Sequence, residues 1–360
     1  MGGGPAGLAA AIALAREGAD VTVLDAAIPP IDKSCGEGLM PDSMDALGEL
    51  GVEVPPQLGF AFDGIRFTDG CSSVVANFSN GKGRGVRRTA LHALMVRRAE
   101  QEGVSLLWGA KQVRLEDRGV VINGQRRQAD FVIGADGQNS RVRAQAGLAH
   151  VVKEQKRYGF RRHYRLAPWS SWVELHWGPN CQVYVTPVAA DEVCVALISH
   201  DSRLRLEQAL RSFPELRERL AAAPAVTPEL GAVTVSRKLR CVHTQRIALL
   251  GDASGSVDAI TGQGMCLAFQ QALALSAALK QRCVFEYQAK HSELMRRPRL
   301  MSSLLLALSR HHGLQRRALA GLARRPEVFE SLVALHVGAS RLHDLCSWRL
   351  LQFGLDVLAA

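Results

Sequence analysis

The N-terminal glycine-rich turn constrains the fold of this chain more than any other feature. Its glycines follow the pattern Gly2-x-Gly4-x-x-Gly7, and a helical Ala/Leu segment, a short β-branched strand and Asp25 come after them in that order. The first glycine permits a tight turn, the second lets a pyrophosphate approach the backbone, and the third lets helix and strand pack closely. The order therefore predicts an α/β domain that binds a nucleotide, with Asp25 accepting hydrogen bonds from a ribose.

A turn of this kind normally follows a β-strand, but only Met1 precedes it here. A central strand of a parallel sheet is hydrogen-bonded on both sides, so without it the neighbouring backbone groups would lack partners. We therefore expect that the coding sequence begins further upstream with a short apolar strand, and that a GTG valine codon stands where Met1 is written. Upstream DNA that encodes no such strand in frame would contradict this expectation.

Two later segments repeat the combination of a strand, an acidic turn and a helix start. One strand reaches Asp136 within 131–148, and another reaches Gly251-Asp252 within 249–275. A carboxylate in such a turn can cap a helix and bond ribose or groups linked to pyrophosphate, and a helix N-terminus can face an anionic group. Three such turns are more than one small nucleotide needs, so they predict a long cofactor.

The three turns together resemble those of one flavoprotein superfamily. GxGxxG, then GADGxxSxVR, then GDAxG…GxG in this order is similar to para-hydroxybenzoate hydroxylase, the geranylgeranyl reductases and the flavin-dependent halogenases. The resemblance implies an α/β fold with a Rossmann-like FAD-binding domain of the glutathione reductase type, an inserted antiparallel-sheet substrate domain and a helical C-terminal region. The first strand of that FAD domain is the one missing before Met1.

The resemblance also implies how FAD is held. The first turn would bind the adenosine diphosphate half, Asp252 the pyrophosphate region on the ribityl side, and the helix start at 262–264 the pyrimidine edge of the flavin ring. No second nucleotide fingerprint is visible, so NADPH or NADH is expected only as a transient electron donor. The implied cofactor-binding residues are Gly2, Gly4, Pro5, Ala6, Gly7, Asp25, Arg88, Asp136, Gly137, Gly251, Asp252, Gly262, Gln263 and Gly264.

Changes along the chain in composition and in the pattern of predicted helices and strands predict how the domains are divided. Alternating helical and strand patterns belong to the FAD domain, short alternating strands to the substrate domain, and Leu/Ala/Arg-rich helical sequence to the C-terminal region. The predicted ranges are 1–57, 82–156 and 240–284 for the FAD domain, 58–81 and 157–239 for the substrate domain, and 285–360 for the helical region.

The motifs leave the reaction open. Aromatic hydroxylases usually carry GDAAHxxxPxxGxG, whereas GDASGSVDAITGQG looks more like the geranylgeranyl reductases, and SWVELHWG departs from the WxWxIP of halogenases. We expect a monooxygenase that uses NAD(P)H and O₂ on a small hydrophobic secondary metabolite. The alternatives are reduction of isoprenoid double bonds, halogenation, and a flavin-binding, membrane-associated protein without turnover.

Three residues are candidates for a direct catalytic role. Cys35 lies in KSCGEGLMP, which resembles both a reductase segment and the GESLLP-like segment of halogenases, and this resemblance places it near the flavin ring. His176 and Tyr184 lie on predicted strands of the substrate domain, in which successive side chains point to opposite faces of the sheet. The sequence leaves open which of the two faces lines the pocket. The cysteines form neither a CxxC pair nor a cluster with histidine at zinc-ligand spacing, so no metal site is predicted.

The whole chain has a formal net charge of +10, and positive charge is concentrated in one part of it. Residues 294–326 contain eight arginines and no Asp or Glu, on sequence with apolar helix faces. This stretch predicts either an amphipathic helical cap with solvated arginines or a peripheral contact with anionic lipid. No motif for nucleic acid accompanies it. With neither a signal peptide nor a spanning segment visible, we expect a cytoplasmic protein, with peripheral contact with the membrane as the alternative. The sequence leaves the oligomeric state open.

Overall fold

The structure is a computed structural model that describes residues 1–341, 348, 352–354 and 357. The rest of the predicted helical region 285–360 lies outside the described residues. None of the helices in the described part of the chain combines the length and apolar character needed to cross a membrane. The described α-helices are α1 (Pro5–Arg16), α2 (Pro41–Glu49), α3 (Arg88–Gln101), α4 (Arg141–Gln145), α5 (Leu206–Ala209), α6 (Pro214–Ala221), α7 (Gly264–Lys280), α8 (Val284–Arg310), α9 (His312–Arg324) and α10 (Pro326–His336).

The described strands form two parallel pairs near the N-terminal turn, two three-stranded antiparallel sheets and one large, mostly antiparallel sheet. They are β1 (Thr22–Asp25), β2 (Gly38–Leu39), β3 (Phe60–Phe62), β4 (Gly64–Thr68), β5 (Ser73–Asn77), β6 (Gly83–Gly85), β7 (Ser105–Trp108), β8 (Arg114–Glu116), β9 (Gly119–Ile122), β10 (Gln125–Gln128), β11 (Val132–Gly134), β12 (Val151–Arg165), β13 (Trp172–Gly178), β14 (Cys181–Ala189), β15 (Glu192–Ser199), β16 (Leu230–Leu239) and β17 (Ile247–Leu249). The two three-stranded sheets have the orders β10-β9-β8 and β2-β6-β3.

The first residues of the chain join two parallel pairs, β1–β7 and β11–β17. The backbone N–H of Gly2 donates to the carbonyl of Leu24 at 2.7 Å, and that of Ala135 donates to the carbonyl of Met1 at 2.7 Å. The amino group of Met1 lies 2.8 Å from the carbonyl oxygen of Ile133. Residues 1 and 2 therefore lie between β1 and β11, where the sequence predicts a strand, and the extent of that strand stays a prediction.

Helix α1 begins directly after this turn and is buried along most of its length. Pro5 at its start has the backbone angle a first helical residue needs, and the run Leu8–Ala13 is buried among α3 and α7. A Cβ on Gly7 would lie 1.8 Å from the carbonyl oxygen of Gly2. Only glycine allows this approach, so the sequence holds the helix N-terminus against the carboxyl ends of the parallel strands.

The large sheet has the strand order β16-β12-β15-β14-β13-β4-β5, with β13 and β4 the one parallel pair among its described strands. One face packs on α5 and α6 through a cluster that includes Val183, Val195 and Phe213. The opposite face looks toward the nucleotide-binding turns and the C-terminal helices. The predicted boundary at 156/157 falls within β12, and the domain ranges themselves stay predictions.

The C-terminal helices close the molecule on the side of β5. Helix α8 packs against α7, while α9 and α10 pack on β5. Leu319, Leu322 and Phe329 from these helices share an apolar cluster with Phe62 and Ala76. The fold is thus the mixed α/β architecture that the sequence predicts, with a large inserted sheet and a helical C-terminal region.

Helix α10 is tied to the glycine-rich segment before α7 by buried hydrogen bonds. His336 Nε2 lies 2.8 Å from the carbonyl oxygen of Thr261, and the side-chain amide of Gln263 donates to the carbonyl of His336 at 2.6 Å. Burial lowers the pKa of His336 to about 4. The neutral ring is therefore the form that the folded protein retains, with Nε2–H as the donor.

We predict that His336 makes the fold sensitive to acid. Its pKa rises from about 4 when folded to the ordinary 6.5 when unfolded, so its stabilisation is fully present above pH 6.5 and is lost as the pH falls toward 4. The difference of about 2.5 pKa units corresponds to about 3 kcal/mol. In urea denaturation, the stability advantage of wild type over His336→Gln should shrink by up to that amount across this range. The control is His312→Gln at an exposed position of α9. A difference independent of pH would contradict the prediction.

Candidate cofactor and substrate site

A cavity of about 1510 Å³ lies between the parallel strands, the large sheet and the C-terminal helices. Pockets for drug-sized ligands measure roughly 300–1,000 Å³, so this one has room for a long cofactor together with a second molecule. All three predicted turns reach its wall. The predicted site residues that line it are Gly4, Pro5, Ala6, Cys35, Arg88, Asp136, Gly137, Tyr184, Gly251, Asp252, Gly262 and Gly264.

The glycines of the first turn have two different tasks. A Cβ on Gly2, whose φ is +107°, would lie 2.3 Å from the carbonyl oxygen of Ala135, and one on Gly7 would meet Gly2. These two glycines do not line the cavity but shape the turn that does. A Cβ on Gly4 would meet no atom within 4 Å, so the backbone there is open to a ligand. This is the shape that close approach of a pyrophosphate requires.

Asp25 closes the first turn instead of lining the cavity. Its carboxylate accepts from the backbone N–H of Gly3 at 2.6 Å and from that of Ala27 at 2.8 Å. An ionised carboxylate has about four lone-pair sites, so two acceptor positions are left for a ribose. The ribose contact itself stays a prediction.

The second turn presents a carboxylate oxygen that has no partner. Asp136 Oδ2 caps α4 by accepting from the backbone N–H groups of Arg141 at 2.7 Å and Val142 at 3.2 Å. Asp136 Oδ1 is buried and makes no hydrogen bond among the described residues. A buried acceptor without a donor costs about 1–3 kcal/mol. A ligand hydroxyl bound at this turn would remove that cost.

The third turn carries a carboxylate and a helix N-terminus. Asp252 is exposed to the cavity but otherwise surrounded by protein, and burial raises the pKa of its carboxyl, opposed by Lys33, Arg88 and Arg237. Helix α7 begins at Gly264 with no side chain capping it. Its free N–H groups and positive dipole end therefore face the cavity. Together with the open space at Gly4 and the unpaired Asp136 oxygen, this arrangement fits a long anionic cofactor.

Gln263 does not line the cavity, in contrast to the neighbouring glycines. It is 1% exposed, and its side chain bonds the carbonyl of His336 and lies 3.3 Å from Asp42 Oδ2. The contact of residue 263 with the cofactor, which its backbone could also make as part of the helix start, stays a prediction. Its side chain anchors the start of α7 to α2 and α10.

Tyr184 reaches the same segment from the large sheet. Its hydroxyl donates to the carbonyl of Ile260 at 2.9 Å, and burial raises the pKa of the phenol, so the group stays protonated. Arg157, on β12 of the same sheet, is fully buried and pairs with Asp258 at 2.9 Å. Tyr184 thus lies at the cavity wall, and its hydrogen bond to Ile260 joins the large sheet to the segment before α7.

His176 lies on the face of β13 opposite to the cavity. Its Nε2 is 3.0 Å from Glu174 Oε2, and its ring meets the edge of Phe213 from the core beneath the sheet. Val173 and Trp177 on the other face line the cavity. The structure therefore corrects the sequence prediction of a direct catalytic role for His176, because strand alternation points its side chain away from the site.

The loop that carries Cys35 is held by a buried cluster that the sequence did not single out. Glu37, with a left-handed φ of 59°, accepts from the backbone N–H of Arg88 at 2.9 Å and lies 2.7 Å from His163 Nε2. Arg161 donates to Asp32 at 2.6 Å and lies 3.1 Å from His163 Nδ1. The signal was the acidic residue inside CGEGL, but its partner lies 126 positions away.

This cluster also bears on metal binding and thiol chemistry. Glu37, His163 and Cys194 offer ligand atoms within 4.8 Å of one another. The Arg161 guanidinium lies among them, 4.0 Å from Glu37, and supplies the positive charge that a cation would bring. Burial raises the pKa of the Cys35 thiol. Cys35 thus lines the cavity as a neutral thiol and not as a thiolate nucleophile.

The far part of the cavity is apolar. Its wall combines one face of β13 and β4 with the inner faces of α8, α9 and α10. These side chains include Ile65, Phe67, Val173, Leu175, Trp177, Leu305, Leu308, Leu319, Leu322 and Phe329. Apolar burial is worth roughly 25 cal/mol per Å², so this wall favours an apolar ligand over a charged one.

Comparison with known proteins supports a flavin site. The model of a family described as FAD binding domain matches residues 1–294. A putative FAD-dependent monooxygenase, YetM of Bacillus subtilis, is 26% identical over 333 residues, which cover 83% of this chain and 89% of that protein. A menaquinone reductase of Mycobacterium tuberculosis is 28% identical over 299 residues, with 74% and 72% covered. A crystallised flavoprotein/dehydrogenase from Cytophaga hutchinsonii shares the fold, with a TM-score of 0.80, 18% identity and coverage of 94% and 92%.

Gly4→Ala should weaken FAD binding without unfolding the protein. Gly4 has an extended backbone that alanine also adopts, and its Cβ would enter open space. We expect a loss of about 1 kcal/mol of stability, because alanine is a poorer N-cap residue than glycine. FAD affinity, measured by fluorescence titration, should fall at least about tenfold, equivalent to about 1.4 kcal/mol. Gly48→Ala, in α2 away from the cavity, is the control, and unchanged affinity in Gly4→Ala would refute the pyrophosphate approach.

Glu37→Ala should destabilise the protein by about 3 kcal/mol or more, because it leaves the buried His163 and the Arg88 N–H without an acceptor. Glu37→Gln should recover part of the loss, since its amide oxygen can still accept from Arg88. The exposed Glu49→Ala in α2 should change stability by no more than about 0.5 kcal/mol. Equal unfolding midpoints for Glu37→Ala and Glu49→Ala in urea would show that the cluster is not needed.

Proposed function

This chain belongs to the FAD-binding domain family and is an FAD-dependent oxidoreductase, and from that premise we propose that it is a monooxygenase. It takes electrons from NADPH or NADH and uses O₂ to hydroxylate a small hydrophobic metabolite. The observation that carries the proposal is the division of the cavity. Nucleotide-binding turns line one end, and apolar side chains line the other.

The division supports a reaction whose chemistry belongs to the cofactor. FAD held by the three turns would supply the redox chemistry. The two titratable candidates at the wall, Cys35 and Tyr184, both have raised pKa values and stay neutral. The protein therefore contributes binding, orientation and exclusion of water.

Residues at the polar end would stabilise negative charge. The uncapped start of α7 directs backbone N–H groups into the cavity, where the helix dipole favours an anion. Such donors are already oriented before reaction, so they lower the cost of charge that develops next to them. Tyr184 and His336 fix the segment before α7, through Ile260 and Thr261, and so keep these donors in position.

The apolar end would select the substrate by shape and hydrophobic contact. Phe67, Trp177 and Phe329 form a line of aromatic side chains in which Phe67 lies 5.6 Å from Trp177 and 4.9 Å from Phe329 between ring centroids. A substrate that covers this surface loses contact with water, which supports binding of an apolar ring or chain.

Reduction of an isoprenoid double bond is the second candidate. It is favoured by the menaquinone reductase among the relatives and by the extent of the apolar wall along α8, α9 and α10. Both reactions need reduced flavin and an apolar substrate. They differ in the fate of oxygen, which makes them separable by one experiment.

The monooxygenase should form product only with O₂ present. We expect purified, FAD-loaded protein to oxidise NADPH faster with a screened phenol or apolar ring substrate, and mass spectrometry should find one oxygen from ¹⁸O₂ in the product. Product formed without O₂ from a polyprenyl substrate, without label, would instead establish the reductase. The absence of any substrate-stimulated turnover with either class would remove both.

A polar substitution in the apolar wall should affect substrate binding but not cofactor binding. Leu305→Asn places an amide at the cavity wall, and we expect KM for the hydrophobic substrate to rise about tenfold, because part of roughly 1.5–3 kcal/mol of Leu burial is lost. Bound flavin per protein should not change. Ser303→Asn, on the exposed face of the same helix, is the matched control. Equal KM values in the two variants would contradict an apolar substrate site here.

A further inference from the structure

The apolar cavity reaches the surface where α8 ends and α9 begins. Leu304 and Leu314 line the cavity and are 48% and 40% exposed. Leu300, one turn before Leu304 on the same face of α8, is 37% exposed and does not line the cavity. The apolar face thus continues from the cavity onto the outside of the protein. Leu300, Leu304 and Leu314 together are called the mouth leucines below.

Four exposed arginines lie on the same two helices as the mouth leucines. Arg296 is one turn before Leu300, and Arg317 is one turn after Leu314. The guanidinium groups of Arg296, Arg316, Arg317 and Arg324 are exposed and make neither an ion pair nor a hydrogen bond with the described residues. No acidic residue occurs between 294 and 326, and Glu293, one turn before Arg296 on α8, pairs with Lys290.

We propose that this surface docks the protein on an anionic lipid bilayer, with the mouth leucines at the level of the lipid headgroups. A bilayer of this kind supplies both things that the surface lacks: negative charge for the arginines and an apolar phase for exposed leucines. Each basic side chain near such a membrane is worth about 1 kcal/mol, or about fivefold in binding. An acidic protein surface would pair with the arginines but would offer no apolar contact for the mouth leucines.

Docking would place the opening of the cavity against the lipid. A hydrophobic substrate could then pass from the bilayer into the apolar wall without crossing water, which is the unfavourable step for such a molecule. This use of the opening rests on the proposed function. The membrane contact does not, because it follows from the arginines and the leucines alone.

The test is binding of the FAD-loaded protein to vesicles in a flotation assay. Wild type should float with vesicles that contain phosphatidylglycerol and not with pure phosphatidylcholine, and high salt should release it, because salt screens exposed charges. The double variant Arg316→Glu, Arg317→Glu should bind at least about 25-fold more weakly, from about fivefold for each charge. Leu300→Ser should weaken binding several-fold without changing the charge.

The matched control is Arg126→Glu, Arg127→Glu. These adjacent arginines are also exposed, but they lie on the hairpin of β9 and β10. This control should bind vesicles as wild type does, and flavin absorbance and thermal melting check that each variant is folded. If the double variant at 316 and 317 loses flavin, Leu300→Ser decides the question.

Three results would overturn the proposal. One is equal binding of wild type to neutral and anionic vesicles, and another is wild-type binding by both Leu300→Ser and the variant at 316 and 317. The third is failure to bind anionic vesicles while the surface binds double-stranded DNA or an acidic protein. Substrate turnover is not part of the readout, so a failure here and a failure of the proposed monooxygenase activity are distinguishable.

Discussion

The structure depends on the anchoring of one short segment, residues 249–264, which forms the third cofactor turn. Its backbone and side chains make buried hydrogen bonds to the large sheet and to α7, α8 and α10. The anchoring side chains are Arg157, Tyr184, Gln271, Tyr287, His291 and His336. A buried segment that is over-determined in this way holds the donors at the start of α7 in one position, as an electrostatic site requires.

The sequence alone predicted the parts of the site whose geometry is local. The turns at Gly4, Asp136 and Gly251 all reach the cavity, because a glycine pattern between a strand and a helix nearly determines its own backbone shape. The family resemblance and the FAD-dependent oxidoreductase class are confirmed by the matched family model. The finer residue roles stay predictions.

What the sequence could not provide depends on distant contacts. Alternation on β13 identified two faces, but only the packing of Phe213 beneath the sheet decided that His176 points away from the cavity. Gln263 lies in the same turn as Gly262 and Gly264. The direction of its side chain is determined by a hydrogen bond to His336 in α10, more than seventy positions later in the chain. Glu37 and His163 are 126 positions apart, so no local pattern in the sequence indicated their contact.

Anchoring by the last helices has a consequence for how the protein is made. Residues 1–294 carry the family's cofactor pattern, yet His336 in α10 completes the segment that positions α7. During synthesis, the chain leaves the ribosome from its N-terminus, at about 5–20 residues per second. The three glycine turns therefore emerge well before the helix that fixes them. We therefore expect tight cofactor binding only after α10 has been made, since the segment before α7 lacks its bonds to His336 until then.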